Sequence, residues 1–359
     1  MLIKDKRITV FDLGSQNIKM LMGKIKDKVI HIENYEIFPT PKNTIKDGKI
    51  MDKESITSFL SKIKIKGKDI RIVLSSDEIV LRNFDFPKMD KDELLDAIKF
   101  EMSILLPENV EQYSIDCYIM DEYTKINDQK EVTMVKVQGV AILNHVVEDY
   151  VQCFLKAGYK INMVDIQSNC LNKLFCSDEG YIQKQGEVPL AQRNIAIIDF
   201  GHEKTSLTFV ENKQVFLHRV LNGGASNITN ILANTLKLDL EEAEKWKQEI
   251  DFSFLKSDSM TEIESRLADD INKNFHDITL EIYQVIEFFI SMSTKKKLDD
   301  IFLIGGGILI MPHIHEFIEH YANIKPQFVH TLHKIQSAPI PQKDMSIIMN
   351  SLGAFIRRG

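Results

Sequence analysis

Two short segments carry residue types suited to holding a polyphosphate. The first, Asp12-Leu13-Gly14-Ser15-Gln16-Asn17-Ile18-Lys19, sets a carboxylate two residues before a glycine and follows both with polar side chains. Gly14 lets the backbone come close to an anion, and successive N–H groups of such a turn can point at phosphate oxygens. Asp12, at a strand end, would hold a hydrated Mg²⁺. Alone, an Asp-x-Gly hairpin is more often just an ordinary turn. The second segment, Asp199-Phe200-Gly201-His202-Glu203-Lys204, repeats the carboxylate and the glycine. Two facing loops of this kind make a clamp for polyphosphate with a cation neutralising its middle. Gly305-Gly306-Gly307 follows an apolar run, so its backbone could lie flat against a planar ring or ribose, or make a tight strand-to-helix turn.

The elements around these segments repeat as well. Residues 7–11 read as a strand, 12–17 as a turn, 18–25 as a strand, 26–28 as a polar turn and 29–35 as a third strand. The same meander returns as strand 194–198, loop 199–204, strand 205–210, turn 211–213 and strand 214–220. An internal duplication of this kind predicts two similar lobes facing each other.

Between the copies the order changes. Residues 79–86 are strand-like and Pro87 closes them. Asp90 and Glu93 then have capping-box spacing, and Leu94, Ile98, Met102 and Leu106 recur every fourth residue until Pro107. Strands are expected over 113–121 and 131–143 around a polar turn at 123–130, a helix over 144–157 ended by Gly158, and a last strand over 161–165. That makes a compact α+β unit inserted within the first lobe. Beyond the second meander, helical periodicity covers 227–237, 240–247, 260–274 and 278–293; 300–307 is a buried strand ending in the glycines, and 352–358 a closing helix.

Composition narrows the class. A chain of 359 residues exceeds the roughly 250–300 at which single cores stop growing, so two or more domains are expected. With 44% apolar and 27% charged residues it is globular, and 45 basic against 52 acidic residues leave no general field for nucleic acid. The longest apolar or glycine run, 301–311, falls short of the roughly 20 residues of a membrane span. Lys4, Asp5, Lys6 and Arg7 leave no signal-peptide core behind Met1, and the chain is expected in the cytosol. Cys117, Cys153, Cys170 and Cys176 have no metal-binding spacing and read as small apolar fillers. His313, His315 and His320 lack the spacing of a metal site. Lys62, Lys64 and Lys66, alternating with isoleucines, read as the solvent side of a strand, and Asp96 and Glu101 as a solvated helix face.

First phosphate-type loop, second phosphate-type loop, then glycine-rich strand end is the order of the actin, heat-shock-70 and sugar-kinase superfamily. The chain resembles, over nearly its whole length, the PilM family of actin-like cytoplasmic proteins of type IV pilus assembly, itself similar to the division protein FtsA. The resemblance rests on residues 12–19, on Val80-Leu81-Arg82 through Phe86-Pro87 and the capped helix to Leu106-Pro107, and on residues 199–205 with Lys204 and Thr205. It also rests on Gly223-Gly224 before Ile228-Thr229, on Ala243-Glu244 with Lys247, and on Gly305 to Gly307. It implies an α/β, actin-like ATPase fold of two duplicated lobes with an inserted 1C subdomain. The divisions are lobe 1A over 1–79, 166–190 and 336–359, 1C over 80–165, lobe 2A over 191–226 and 278–335, and helical 2B over 227–277.

The same resemblance implies ATP and Mg²⁺ as cofactors, with Asp12 and Asp199 at the metal. Gly14, Ser15, Gln16, Asn17, Lys19, Gly201, Lys204, Thr205, Gly223 and Gly224 would lie around the phosphates, and Glu244, Lys247 and the three glycines around adenosine. Gln167, at the entry to the helix linking the lobes, corresponds to the polar residue that orients the attacking water in relatives; its plainer reading is an exposed helix cap. His202 and Glu203 are bulkier than the family's small residues, which leads us to expect at most slow hydrolysis. Trp246 departs from the family's aliphatic choices and reads as core filling.

The implied role is an assembly protein that captures the N-terminal tail of a bitopic, PilN-like membrane protein in a groove near 1A and 1C. It would sit at the inner face of the cell membrane through that partner, self-association being allowed. An FtsA-like filament protein is the first rival; the chain stops at Arg357-Arg358-Gly359, and no membrane-targeting helix is expected after it. A small-molecule kinase of the same superfold is the second, and it lacks a candidate substrate-side carboxylate beyond Asp12 and Asp199.

Overall fold

A computed structural model describes residues 7–357 except 66, 128, 129, 183–188, 258, 312, 330, 331 and 339. Expectations that touch residues 1–6, Lys66, Asp128, Gln129, Pro312 or Arg358 lie outside the described residues at those positions. The chain divides into two compact units.

The first unit, Met1–Thr40 with Ile65–Leu74 and Asn162–Gly359, is built on two sheets of matching order. One runs Ile161–Ile166, Asp69–Leu74, Ile8–Leu13, Asn17–Lys26, Val29–Pro39 and Ile335–Gln336. The other, written in the reverse sense, runs Gln327–Phe328, Asp300–Ile304, Ile195–Phe200, Lys204–Glu211 and Gln214–Asn222. In each, a central strand pairs antiparallel with its hairpin partner and parallel with a strand far along the chain. Both central strands, ITVFDL and IAIIDF, are buried throughout, as strands covered on both faces must be.

Alternation assigns the two faces of the second sheet. Ile195 and Ile197 share one core with Ile8 and Val10 of the first sheet, together with Cys170, Leu171 and Leu174 from the helix Gln167–Cys176 and Met349 and Leu352 from the helix Met349–Gly353. Ala196, Ile198 and Phe200 face the helices Ala225–Leu236, Glu262–Met292 and Ile314–Ala322. A Cβ at Gly353 would meet the Cys170 carbonyl oxygen at 2.1 Å, so the two helices of the shared core touch at backbone distance.

Several elements differ from the sequence expectation. One 31-residue helix, Glu262–Met292, replaces the two expected over 260–293: no breaker interrupts it, and Leu267, Ile271, Phe275, Ile278, Ile282, Ile286 and Phe289 keep one buried stripe. The closing helix is Met349–Gly353, preceded by Gln342–Ile347, rather than 352–358. The strand Ile161–Ile166 is the edge of the first sheet and not the last strand of the insertion. Lys62 ends a helix, Lys53–Lys62, capped by Asp52 and burying Ile56 and Leu60, and Lys64 follows without a strand.

The second unit, Pro41–Lys64 with Ser75–Ile161, holds a three-stranded antiparallel sheet in the order Val80–Pro87, Lys130–Leu143, Tyr113–Asn127. The helix Lys53–Lys62, assigned by sequence to the first lobe, clusters here. Tyr150 Oη donates to the Gly48 carbonyl at 2.9 Å and Tyr159 Oη to that of Ile63 at 2.6 Å. The capping box of Asp90 and Glu93 starts the helix Lys91–Leu105, whose Leu94, Ile98 and Met102 lie on Val135, Val137 and Ala141. Where a polar turn is expected over 123–130, the hairpin instead stays paired out to Asn127 and Lys130. An antiparallel ladder needs backbone partners, not burial, and so runs on through exposed polar residues.

Candidate nucleotide and cation site

The two Asp-x-Gly turns are copies in geometry as well as in sequence. Gly14 N–H donates to the Asn17 carbonyl at 3.0 Å, and Gly201 N–H donates to that of Lys204 at 2.9 Å. Each aspartate pairs with the residue seven positions on, Asp12 with Lys19 and Asp199 with Ser206. A Cβ on Gly201 would come to 2.8 Å from Lys204 O, too close for a side chain without a backbone shift, and one on Gly14 to 3.0 Å from Asn17 O, a tight contact.

Both carboxylates are buried. Asp12 Oδ2 forms an ion pair with Lys19 Nζ at 3.2 Å and takes part in no hydrogen bond among the described residues. Asp199 Oδ2 accepts from Gln167 Nε2 at 2.6 Å and from Asn350 Nδ2 at 2.9 Å. Burial raises the Asp199 carboxyl above its ordinary value; the Asn350 hydrogen bond and the Lys19 charge oppose this, and the charge of Asp12 adds to it. Asp12, Lys19, Asp199 and Gln167 are thus brought together. Gln167 is 5% exposed and is the first residue of the helix, whose N-cap is Ile166, which corrects the reading of an exposed helix cap. Asn350 went unnoticed in the sequence; its one signal is an amide inside the apolar run Ile347-Ile348-Met349 to Leu352.

The glycines mostly shape the second loop. Gly305, at φ +93°, has no room for a side chain, since a Cβ would sit 2.2 Å from Asp199 Oδ1. A Cβ on Gly307 would meet Gly201 O at 2.7 Å; Gly306 has only Ile347 nearby and remains the one glycine of the three with space beside it. Gly223 N–H donates to Glu203 O, and the amides of Ala225 and Ser226 donate to the carbonyls of Gly201 and His202 at 3.1 and 2.8 Å. Gly224 lets that helix start approach, because a Cβ there would lie 2.6 Å from Gly201 O. Thr205 Oγ1 closes the contact on Gly223 O, while Lys204 Nζ turns outward to Asn222. Burial and the Lys247 charge hold His202 below the ordinary imidazole value, so the loop gains no positive charge from it near neutrality.

Lys247 is fully buried, and its ammonium donates to Ala225 O, Thr229 Oγ1 and Glu244 Oε2 at 3.2, 2.8 and 2.7 Å. Three donors meet three acceptors. Its placement makes it a strut between the helices Ala225–Leu236 and Leu240–Glu249, and Glu244 carries the link onward by accepting from Gln16 Nε2 of the first turn at 3.3 Å. Trp246 is half-exposed, which corrects its reading as core filling. Of the cysteines, Cys153, Cys170 and Cys176 are buried and Cys117 is half-buried. His313 pairs with Glu316 and His320 stacks edge-on against Tyr321.

Two buried carboxylates, an unbonded Asp12 oxygen and the buried, unbonded Ser206 Oγ beside Asp199 are hard oxygen donors of the type a hydrated divalent cation takes. Duplicated sheets, each ending a central strand in Asp-x-Gly and sharing two helices between them, define an actin-like ATPase fold. Solved structures of similar fold include the PilM-PilN type IV pilus biogenesis complex, at TM-score 0.77 and 18% identity over 97% of both chains. They also include MreB 5 of Spiroplasma citri bound to AMPPNP, at TM-score 0.53 and 10% identity over 98% of this chain and 95% of that one. The model of the family described as type IV pilus assembly protein PilM matches residues 11–352, and the chain belongs to that family. Cell division protein FtsA of Bacillus subtilis (strain 168) is 21% identical over 277 residues, which is 70% of this chain and 60% of FtsA. The chain thus spans less than two thirds of that relative. FtsA of Staphylococcus epidermidis is 20% identical over 89% of this chain and 73% of its own length.

Proposed function

We propose that the protein binds ATP with a hydrated Mg²⁺ between its two Asp-x-Gly turns and serves as an actin-like assembly protein of a type IV pilus system. The observation that carries the nucleotide reading is the pairing of two buried carboxylates, one from each copy of a duplicated hairpin, near the ammonium of Lys19. Asp12 and Asp199 would hold the cation, and the cation would neutralise the phosphates. Because the amides of Gly14 and Gly201 close their own turns, phosphate oxygens would be met by the amides that follow them and by Lys19. A Cβ at Gly306 would meet only Ile347, at 3.8 Å, so of the three glycines it is the one against which a ribose or ring would lie. Lys247 acts on this site through Glu244 and Gln16. Titration calorimetry of Mg-ATP tests the reading: Asp12→Ala and Asp199→Ala each weaken binding by more than tenfold, and unchanged affinity in both variants sinks it.

Membership of the PilM family, with the likeness to a PilM-PilN complex, supports capture of the N-terminal tail of a PilN-like membrane protein. Within the second unit, Val80–Pro87 and Tyr113–Asn127 are the outer strands of a three-stranded sheet, and Phe100 and Ile104, one turn apart on the helix Lys91–Leu105, are 67% and 68% exposed. An extended tail could add backbone hydrogen bonds to such an edge and apolar side chains to such a helix face. Hydrolysis is slow in this reading, since the amide of Gln167 is held by Asp199. Turnover above about 1 s⁻¹, within the ordinary enzyme range, contradicts that part.

A further inference from the structure

We propose that Asn350 is a positioning residue of the divalent-cation site, holding one oxygen of Asp199 through its amide N–H while its own carbonyl accepts a hydrogen bond from water bound to the cation. The inference rests on the nucleotide reading above. Three observations carry it. Asn350 Nδ2 and Gln167 Nε2 both donate to the same oxygen, Asp199 Oδ2, at 2.9 and 2.6 Å. A carboxylate oxygen has two lone pairs, so Oδ2 is saturated, and the rotation of the carboxylate is set. The other oxygen, Oδ1, lies against the space that Gly305 leaves vacant.

The second observation is Asn350 Oδ1 itself. Asn350 is 7% exposed, yet this oxygen is buried and has no hydrogen-bond partner among the described residues. Flipping the amide would satisfy nothing, because it would set an oxygen against the Asp199 carboxylate. An orphaned buried acceptor costs about 1–3 kcal/mol unless something else in the site donates to it. Water on a cation is a strong donor, and beside the same carboxylate Ser206 Oγ has no hydrogen-bond partner among the described residues, while Asp12 Oδ2 has only its ion pair with Lys19.

The third is placement. Asn350 comes from the helix Met349–Gly353 and Gln167 from the helix Gln167–Cys176, which meet at backbone distance where Gly353 lies on Cys170. Two helices of the core shared by the sheets therefore each send one amide to one carboxylate of the second sheet. The positioning is built into the joint between the halves, not into the phosphate loops.

The test compares nucleotide affinity with and without the cation in the full chain, by calorimetry of ATP in excess Mg²⁺ and in excess chelator, with melting temperature as a check on folding. Outer-sphere substitutions at metal sites weaken metal affinity by about 10–100-fold. Asn350→Ala is expected to lose about tenfold in Mg-ATP affinity and less than twofold in ATP affinity under chelator. Asn350→Ser serves if the alanine variant melts at the assay temperature. Equal loss in both conditions, or no loss, overturns the assignment and leaves Asn350 a packing residue. Wild-type protein that binds ATP in neither condition overturns the nucleotide reading and this assignment together; wild type that binds while the variants match it overturns the assignment alone.

Discussion

Asp199 is where burial, charge and function meet. Its carboxyl is raised by burial, so the folded state keeps the proton at pH values where the unfolded chain, near its ordinary 3.8, has lost it. Stability associated with this group is therefore greatest below the unfolded value and falls as pH rises through the folded one. At neutral pH the charged group therefore works against folding until a cation compensates it. Asp199→Asn keeps an acceptor for Gln167 and Asn350 and removes the charge. Denaturant melts at pH 7 without ligand should show it at least as stable as the wild type, with the difference closing below about pH 4. Addition of Mg-ATP should stabilise the wild type and leave the variant unmoved. A variant less stable than wild type at pH 7 contradicts the argument. Gly305 gives a second test. A methyl group there would overlap Asp199 Oδ1 in a backbone region that disfavours side chains, so Gly305→Ala should cost about 3 kcal/mol or more in the same melts and abolish Mg-ATP binding.

At the scale of elements, buried cations fasten the pieces that meet at the site. Lys247 ties the helices Ala225–Leu236 and Leu240–Glu249 to each other. Arg71 Nη1 donates to the carbonyls of Ala354 and Phe355, both at 2.8 Å, and Lys173 Nζ donates to that of Ile356 while paired with Asp165 at 2.5 Å. These bonds satisfy carbonyls left open where the closing helix ends, and they hold the segment that carries Asn350. Removing one partner of a buried pair leaves the other uncompensated. Lys247→Met should lower stability by about 2–3 kcal/mol and weaken Mg-ATP binding only severalfold, since it acts through Glu244 and Gln16. Calorimetry beside a melt separates the two effects; loss of binding equal to that of Asp12→Ala would instead give Lys247 a direct contact with nucleotide.

For the whole molecule, the division into two units bears on how the partner reading is tested. Excising residues 80–165 would remove the edge strand Ile161–Ile166 from the first sheet and Asp165 from Lys173, and would strand the helix Lys53–Lys62 without its own unit. Surface substitution is the cleaner experiment. Phe100→Asp with Ile104→Asp should abolish capture of a labelled PilN-like tail in fluorescence anisotropy while Mg-ATP affinity stays within twofold. Equal tail affinity in the double variant would remove that helix face from the recognition site. No helix among the described residues is long and apolar enough to cross a membrane.

The sequence by itself determined the duplicated hairpins, their Asp-x-Gly turns and the capped helix Lys91–Leu105, because turns, caps and period-two strands are set by neighbours a few residues apart. It also placed Asp12 and Asp199 in equivalent positions, since a repeated local pattern repeats its geometry. Other features belong to packing between distant segments. That Gln167 and Asn350 share one oxygen of Asp199, that Gly224, Gly305 and Gly307 accommodate backbone and carboxylate of the second turn, and that Lys247 is a buried strut all depend on contacts between segments far apart along the chain. The strand Ile161–Ile166 shows the same limit: its pattern reads as a strand, but only the partner Asp69–Leu74 decided which sheet it joins. Local propensity fixes what a segment is, and the burial of its faces fixes where it goes.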